Sequence, residues 1–125
     1  MMSQFPSPAQ DYLLNDLNLD LYLKPNPPAT SLRRLHHQDD SMVDIGMMPN
    51  CILVIDNSLD PKNGCWVYAV VDRQKIAKTF YEYKQHIELH SENKLKNYPP
   101  IILLKNVGDW HIIGIISAYV FKSKY

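Results

Sequence analysis

A mainly β domain of several short strands is predicted by three features of the sequence. Lys75 to Phe80 reads as a strand in period-two alternation, and His86-Ile87-Glu88-Leu89-His90 alternates again. The run Cys51-Ile52-Leu53-Val54-Ile55 is continuously apolar, the pattern of a strand buried on both faces. Turn signals rich in Gly, Pro and Asn recur about every 8 to 12 residues, which leaves room for at most one short helix.

Taken in order, Met1 to Gln10 holds Pro6 and Pro8 and reads as an extended arm, because each proline biases its predecessor away from helix. Asp11 is placed to cap a short helix over Tyr12 to Asn15, while Leu17, Leu19, Leu21 and Leu23 alternate as a strand would. Lys24-Pro25-Asn26-Pro27-Pro28 ends either. Residues 1–30 are thus an arm with a short helix or strand, and 31–125 form one domain.

Ala29 to Gln38 is expected to bring a strand up to Asp39-Asp40-Ser41, and Gly46 to Asn50 turns the chain into the apolar strand. Asn57 to Gly64 is a loop whose Asn-Gly is a strong turn signal. Trp66 to Asp72 and Lys75 to Tyr83 read as a hairpin joined across Arg73-Gln74. Ser91-Glu92-Asn93 makes a turn, Tyr98-Pro99-Pro100 breaks the chain, and Ile101 to Leu104 is another short strand. Trp110 to Ile116 closes the domain, and Gly114 within it implies close packing or a bulge.

Composition excludes several functions. Thirteen basic residues balance thirteen acidic ones, so no net field draws the chain to nucleic acid. Cys51 and Cys65 form neither a zinc pattern nor a redox pair and read as small buried hydrophobes. The two strand histidines, His86 and His90, are too far apart to share a metal unaided, and the adjacent Arg33-Arg34 and His36-His37 read as a solvated loop. No metal or cofactor is expected. The start lacks the regions of a signal peptide, and Trp110 to Phe121 is shorter than a membrane span, so a soluble, cytoplasmic protein is expected.

The chemistry centres on Ser41 and Lys78, thirty-seven residues apart. Period-two alternation places Lys78 on one face with Ile76 and Phe80. A lysine in water, with a pKa of about 10.4, is protonated at neutral pH and cannot accept a proton. Apolar surroundings disfavour the ammonium and turn the amine into a general base, which is what a serine hydroxyl needs to become a nucleophile. The bland alternatives are a loop serine that caps a turn and a strand lysine on a solvated face.

Asp40-Ser41-Met42, the apolar strand ending in Asp56, and Ala69-Val70-Val71-Asp72 followed six residues later by Lys78 resemble the LexA/UmuD family of self-cleaving serine peptidases. Phe5-Pro6-Ser7-Pro8-Ala9-Gln10-Asp11-Tyr12 resembles the segment just after the self-cleavage site in the UmuD branch, whose members are accessory subunits of an error-prone polymerase of the polymerase V type.

The resemblance implies a LexA/signal-peptidase-like β-clip barrel over residues 31–125, with Ser41 as nucleophile and Lys78 as base. It further implies a homodimer, a UmuC-like Y-family DNA polymerase subunit as partner, a link to the RecA filament, and a role in SOS mutagenesis. Gln4 precedes Phe5 where the family has glycine, so either a processed form or a gene product that never carries the arm is expected, acting at most in trans. The approach through Arg33-Arg34 is more polar and about two residues longer than its counterpart. Asp39 stands where glycine normally precedes Asp-Ser-Met, and Cys51 and Cys65 stand where the family opens two strands with aspartate.

Overall fold

The computed structural model describes residues 30–121. The expected arm over residues 1–30, with its helix or strand, therefore lies outside the described residues apart from Thr30. Seven strands form one antiparallel sheet: β1 (Thr30–Arg34), β2 (Ile52–Asp56), β3 (Trp66–Val71), β4 (Gln74–Glu82), β5 (His86–His90), β6 (Ile101–Leu104) and β7 (Trp110–Val120). Their order across the sheet is β1-β2-β7-β3-β4-β5-β6, and the single 3-10 turn described covers Val43–Ile45. The mainly β class read from the sequence is the observed one.

Apolar residues on opposite faces of this sheet make two cores. Leu35, Met42, Met47, Leu53, Ile55, Tyr68, Ala77 and Ile116 pack together on one side. Val67, Ala69, Phe80, Ile87, Leu89 and Leu103 pack on the other. Cys51 to Ile55 is buried throughout, as its unbroken apolar run requires. Cys51 behaves as a buried hydrophobe whose thiol is pushed up to about 11, chiefly by desolvation. Cys65 corrects the reading of two buried cysteines, since it is only half-buried. No helix among the described residues is long and apolar enough to cross a membrane.

The β3–β4 hairpin forms as expected, with its connection shifted by one residue. Val71 pairs with Gln74, so the two turn residues are Asp72 and Arg73, not Arg73 and Gln74. Both have positive φ, 49° and 70°, the requirement of a two-residue turn whose twist matches that of the strands. The shift leaves the faces unchanged: Lys78 opposes Val67 and shares its side with Ile76 and Phe80.

Strand β7 joins the two halves by pairing with both β2 and β3. Its register slips once against each neighbour, between Val54 and Ile55 and between Tyr68 and Ala69. Such bulges bend a strand and increase its twist. Gly114 lies between the two irregularities, and a Cβ there would meet the Asp56 carbonyl oxygen and the Ile55 Cγ2 at 2.8 Å each. Both are parts of the adjacent β2, one of them backbone, so neither is free to move aside. Gly114→Ala should therefore destabilise the domain by about 1–3 kcal/mol, the usual cost of overpacking, read as a lowered denaturant midpoint.

Candidate active site

Ser41 lies in the connection between β1 and the 3-10 turn. Asp39 N–H donates to the His36 carbonyl at 3.0 Å, closing a tight turn just before it. The chain then runs through Ser41 and Met42, both buried, into Val43–Ile45, and leaves through Gly46 at φ 89°. Tyr119 on β7 donates its hydroxyl to the Ile45 carbonyl and so ties this turn to the sheet. The serine is thus presented by a loop anchored on both sides.

The segment that follows β5 completes the anchorage. Glu92 N–H donates to the Ser41 carbonyl at 2.7 Å, and Asp44 N–H donates back to the Glu92 carbonyl at 2.9 Å. The Asn93 side-chain amide donates to the Asp40 carbonyl at 2.9 Å, and its oxygen accepts Lys96 N–H at 3.1 Å. Thr79 on β4 donates its hydroxyl to the Glu92 carboxylate at 2.8 Å. Asp40 turns outward to Lys96 and Tyr98, whose hydrogen bonds hold its carboxyl below the usual carboxylate range. Residues 91–93 therefore act as a clasp between the serine loop and β4.

Lys78 is 9% exposed and Ser41 4%, and both line one cleft of about 760 Å³. The Lys78 ammonium donates to Ser91 Oγ at 3.0 Å. Desolvation lowers its pKa below the ordinary lysine value, opposed by the carboxylates of Asp39 and Asp40. In linkage terms the folded state disfavours the charged lysine. The resulting penalty on stability is fully present below the folded pKa and disappears as pH rises past the unfolded value of about 10.4.

Ser41 and Lys78 are not hydrogen-bonded to each other. The Ser41 hydroxyl donates instead to Asp39 Oδ1 at 2.6 Å, and Ser41 N–H donates to the same oxygen at 2.9 Å. The structure thus brings the two residues into one cleft while each holds a different partner. Ser91 and Asp39 are the residues that sequence reasoning missed in these roles. Folding the β4–β5 hairpin about Lys84-Gln85 would have found the first, because Thr79 pairs with His90 and Lys78 is then opposite Ser91. An Asp two residues before a Ser is itself a turn signal for the second.

Arg34, His36, Arg73 and Lys75 also line the cleft. Arg33 and Arg34 lie on strand β1 and not in the loop read for them, with Arg34 committed to the Asn50 carbonyl at 2.8 Å, whereas His36 and His37 are exposed and stacked on each other with centroids 4.5 Å apart, as a solvated loop would be. On β5 the Glu88 carboxylate sits between His86 and His90, at 3.1 and 2.9 Å. Among the described residues no group of His, Cys, Asp and Glu is arranged to hold a metal ion.

Residues 5–117 match the model of the Peptidase S24-like family. The chain belongs to that family. Its seven-stranded, nearly helix-free sheet fits the β-clip fold of S24 proteins, self-cleaving serine peptidases of the LexA/UmuD superfamily. Among its relatives, the LexA repressor of Clostridium kluyveri is 36% identical over 86 residues, covering 68% of this chain and 40% of the repressor. The LexA repressor of Acetivibrio thermocellus is 37% identical over 74 residues, covering 59% of this chain and 34% of the repressor. Protein SamA of Salmonella typhimurium is 30% identical over 120 residues, 96% of this chain and 79% of SamA. The S24 chain thus spans at most 40% of the length of these LexA relatives.

The clasp makes a stability prediction independent of chemistry. Asn93 is buried and satisfies the Asp40 carbonyl and the Lys96 N–H. Asn93→Ala should cost about 1–3 kcal/mol, whereas Ser58→Ala, at an exposed turn, should stay within about 0.5 kcal/mol; chemical denaturation of both variants measures the difference.

Proposed function

We propose that the chain is a Ser-Lys endopeptidase of the S24 family whose biological role is that of a UmuD-type accessory subunit in SOS mutagenesis. The observation that carries the chemical part is the burial of a serine hydroxyl and a lysine amine in one cleft. Burial lowers the pKa of Lys78, and a neutral amine is the base that this reaction needs.

In the proposed reaction, the neutral Lys78 amine accepts the Ser41 proton as the serine oxygen attacks the scissile carbonyl. Backbone N–H groups near Ser41 and Met42 stabilise the oxyanion of the tetrahedral intermediate. The Lys78 ammonium then gives its proton to the departing amine, leaving an acyl-enzyme. Water, deprotonated by the same lysine, releases the acyl group. Ser91 Oγ holds the amine by a hydrogen bond throughout.

The Phe5–Tyr12 segment supports the UmuD-type reading, since it resembles the region following a self-cleavage site and falls within the family match. This reading includes a homodimer and a UmuC-like Y-family polymerase partner, with self-cleavage in the family promoted by the RecA filament. The LexA relatives favour a second reading, the catalytic part of an SOS repressor. Co-purification with a UmuC-like subunit supports the first. Sequence-specific DNA binding at a stated salt concentration supports the second.

Ser41→Ala and Lys78→Ala should each abolish cleavage of an uncut S24-family protein supplied in trans, while the dimer persists by sedimentation. Cleavage retained by either variant would refute the assignment. Because the base must be neutral, the wild-type rate should rise with pH and level off at a midpoint below about 10.4; a pH–rate profile checks the direction, and a flat profile would remove Lys78 as the base.

A further inference from the structure

We propose that Asp39 is a positioning residue that holds Ser41 in a resting state, so that the hydroxyl must give up the Asp39 carboxylate before it can turn to the Lys78 amine. The proposal rests on the reading of Ser41 as nucleophile and Lys78 as base. One carboxylate oxygen, Asp39 Oδ1, takes both the hydroxyl proton and the backbone N–H of Ser41, at 2.6 and 2.9 Å. The first contact points the hydroxyl at a group other than the amine. The second occupies a backbone donor next to the reacting oxygen, where an oxyanion would need it.

Asp39 is not itself a substitute for the lysine. An ionised carboxylate is in general a far weaker base than a neutral amine, so it is not the group that takes the serine proton. What it does supply is a charge-assisted hydrogen bond, roughly twice as strong as one to a neutral acceptor. Its negative charge also favours the protonated form of Lys78, the form that cannot act as a base.

The turn around Asp39 gives the hold its rigidity. Asp39 N–H is bound to the His36 carbonyl, and Gln38 N–H is bound to the His36 ring at 3.1 Å. The Ser41 carbonyl on the other side is bound to Glu92 N–H. With backbone anchors before and after, the hydroxyl leaves Asp39 by rotating about its own Cα–Cβ bond rather than by movement of the loop. Asp39→Asn keeps the size of the side chain and an oxygen for Ser41 N–H, and removes only the charge.

A fluorophosphonate tests this without a peptide substrate, since the serine oxygen displaces fluoride and leaves a stable phosphonyl adduct measurable by intact mass. On the full chain, Asp39→Asn should label about fivefold faster than wild type, the gain expected on replacing a charge-assisted hydrogen bond by a neutral one. Asp39→Gly should label at least as fast. The gain should lie in the maximal inactivation rate, with the concentration for half-maximal rate unchanged; a merely loosened cleft would move the latter instead. Labelling that is Ser41-dependent but unchanged or slower in both variants would overturn the hold while leaving the nucleophile in place. Absence of Ser41-dependent labelling in wild type and both variants would remove the nucleophile, and the hold with it.

Discussion

The constraint on which the site depends is the removal of the Lys78 amine from water. An ammonium buried without partners carries a penalty of several kcal/mol after relaxation, so the fold must either let the group lose its proton or surround it with acceptors and negative charge. Here both tendencies are present. Desolvation favours the neutral amine, and Asp39 and Asp40 pull the other way. Ser91 Oγ, 3.0 Å away, keeps the nitrogen hydrogen-bonded in either state. The lysine is poised because these influences oppose one another across a short distance.

Several remote features follow from that requirement. Lys78 is buried because β4 lies between β3 and β5, with both of its faces covered at the centre of the strand. Strand β3 is in turn held by β7, which reaches across to β2 only because Gly114 lets the backbones approach. The serine loop comes down onto β4 through the clasp of residues 91–93, whose bonds run to Ser41, Asp44, Asp40 and Thr79. A single segment therefore sets the position of the hydroxyl and the amine together, so disturbance of Asn93 or Glu92 reaches both.

How much of this was legible in the sequence depends on the range of the interaction. The apolar run before Asp56 and the face shared by Ile76, Lys78 and Phe80 are local patterns, and they predict the buried strand and the desolvated lysine directly. The hairpin turn was misplaced by one residue because Arg73 adopts a positive φ that its side chain disfavours, which no local rule selects over Gln74. The partnership of Lys78 with Ser91 needs the register of β4 against β5, and the Lys84-Gln85 connection carries no Gly or Asn to announce it. Ser91-Glu92-Asn93 was therefore legible as a turn and not as a clasp.

Asp39 shows why a local motif and its consequence are separable. The same Asp-x-Ser arrangement recurs at the end of β2, where Asp56 Oδ1 accepts the Ser58 hydroxyl at 2.6 Å and the Ser58 N–H at 2.8 Å. The two turns are alike to within a tenth of an ångström, so the contact is a property of three adjacent residues and owes nothing to the cleft. Their surroundings differ. At Ser58 the turn is exposed, so water competes for both groups. At Ser41 the hydroxyl is buried in the cleft that also holds the Lys78 amine, and the lower dielectric strengthens the bond it makes. Local chemistry supplies the grip; burial in the cleft of Lys78 is what would give that grip its bearing on the proposed reaction.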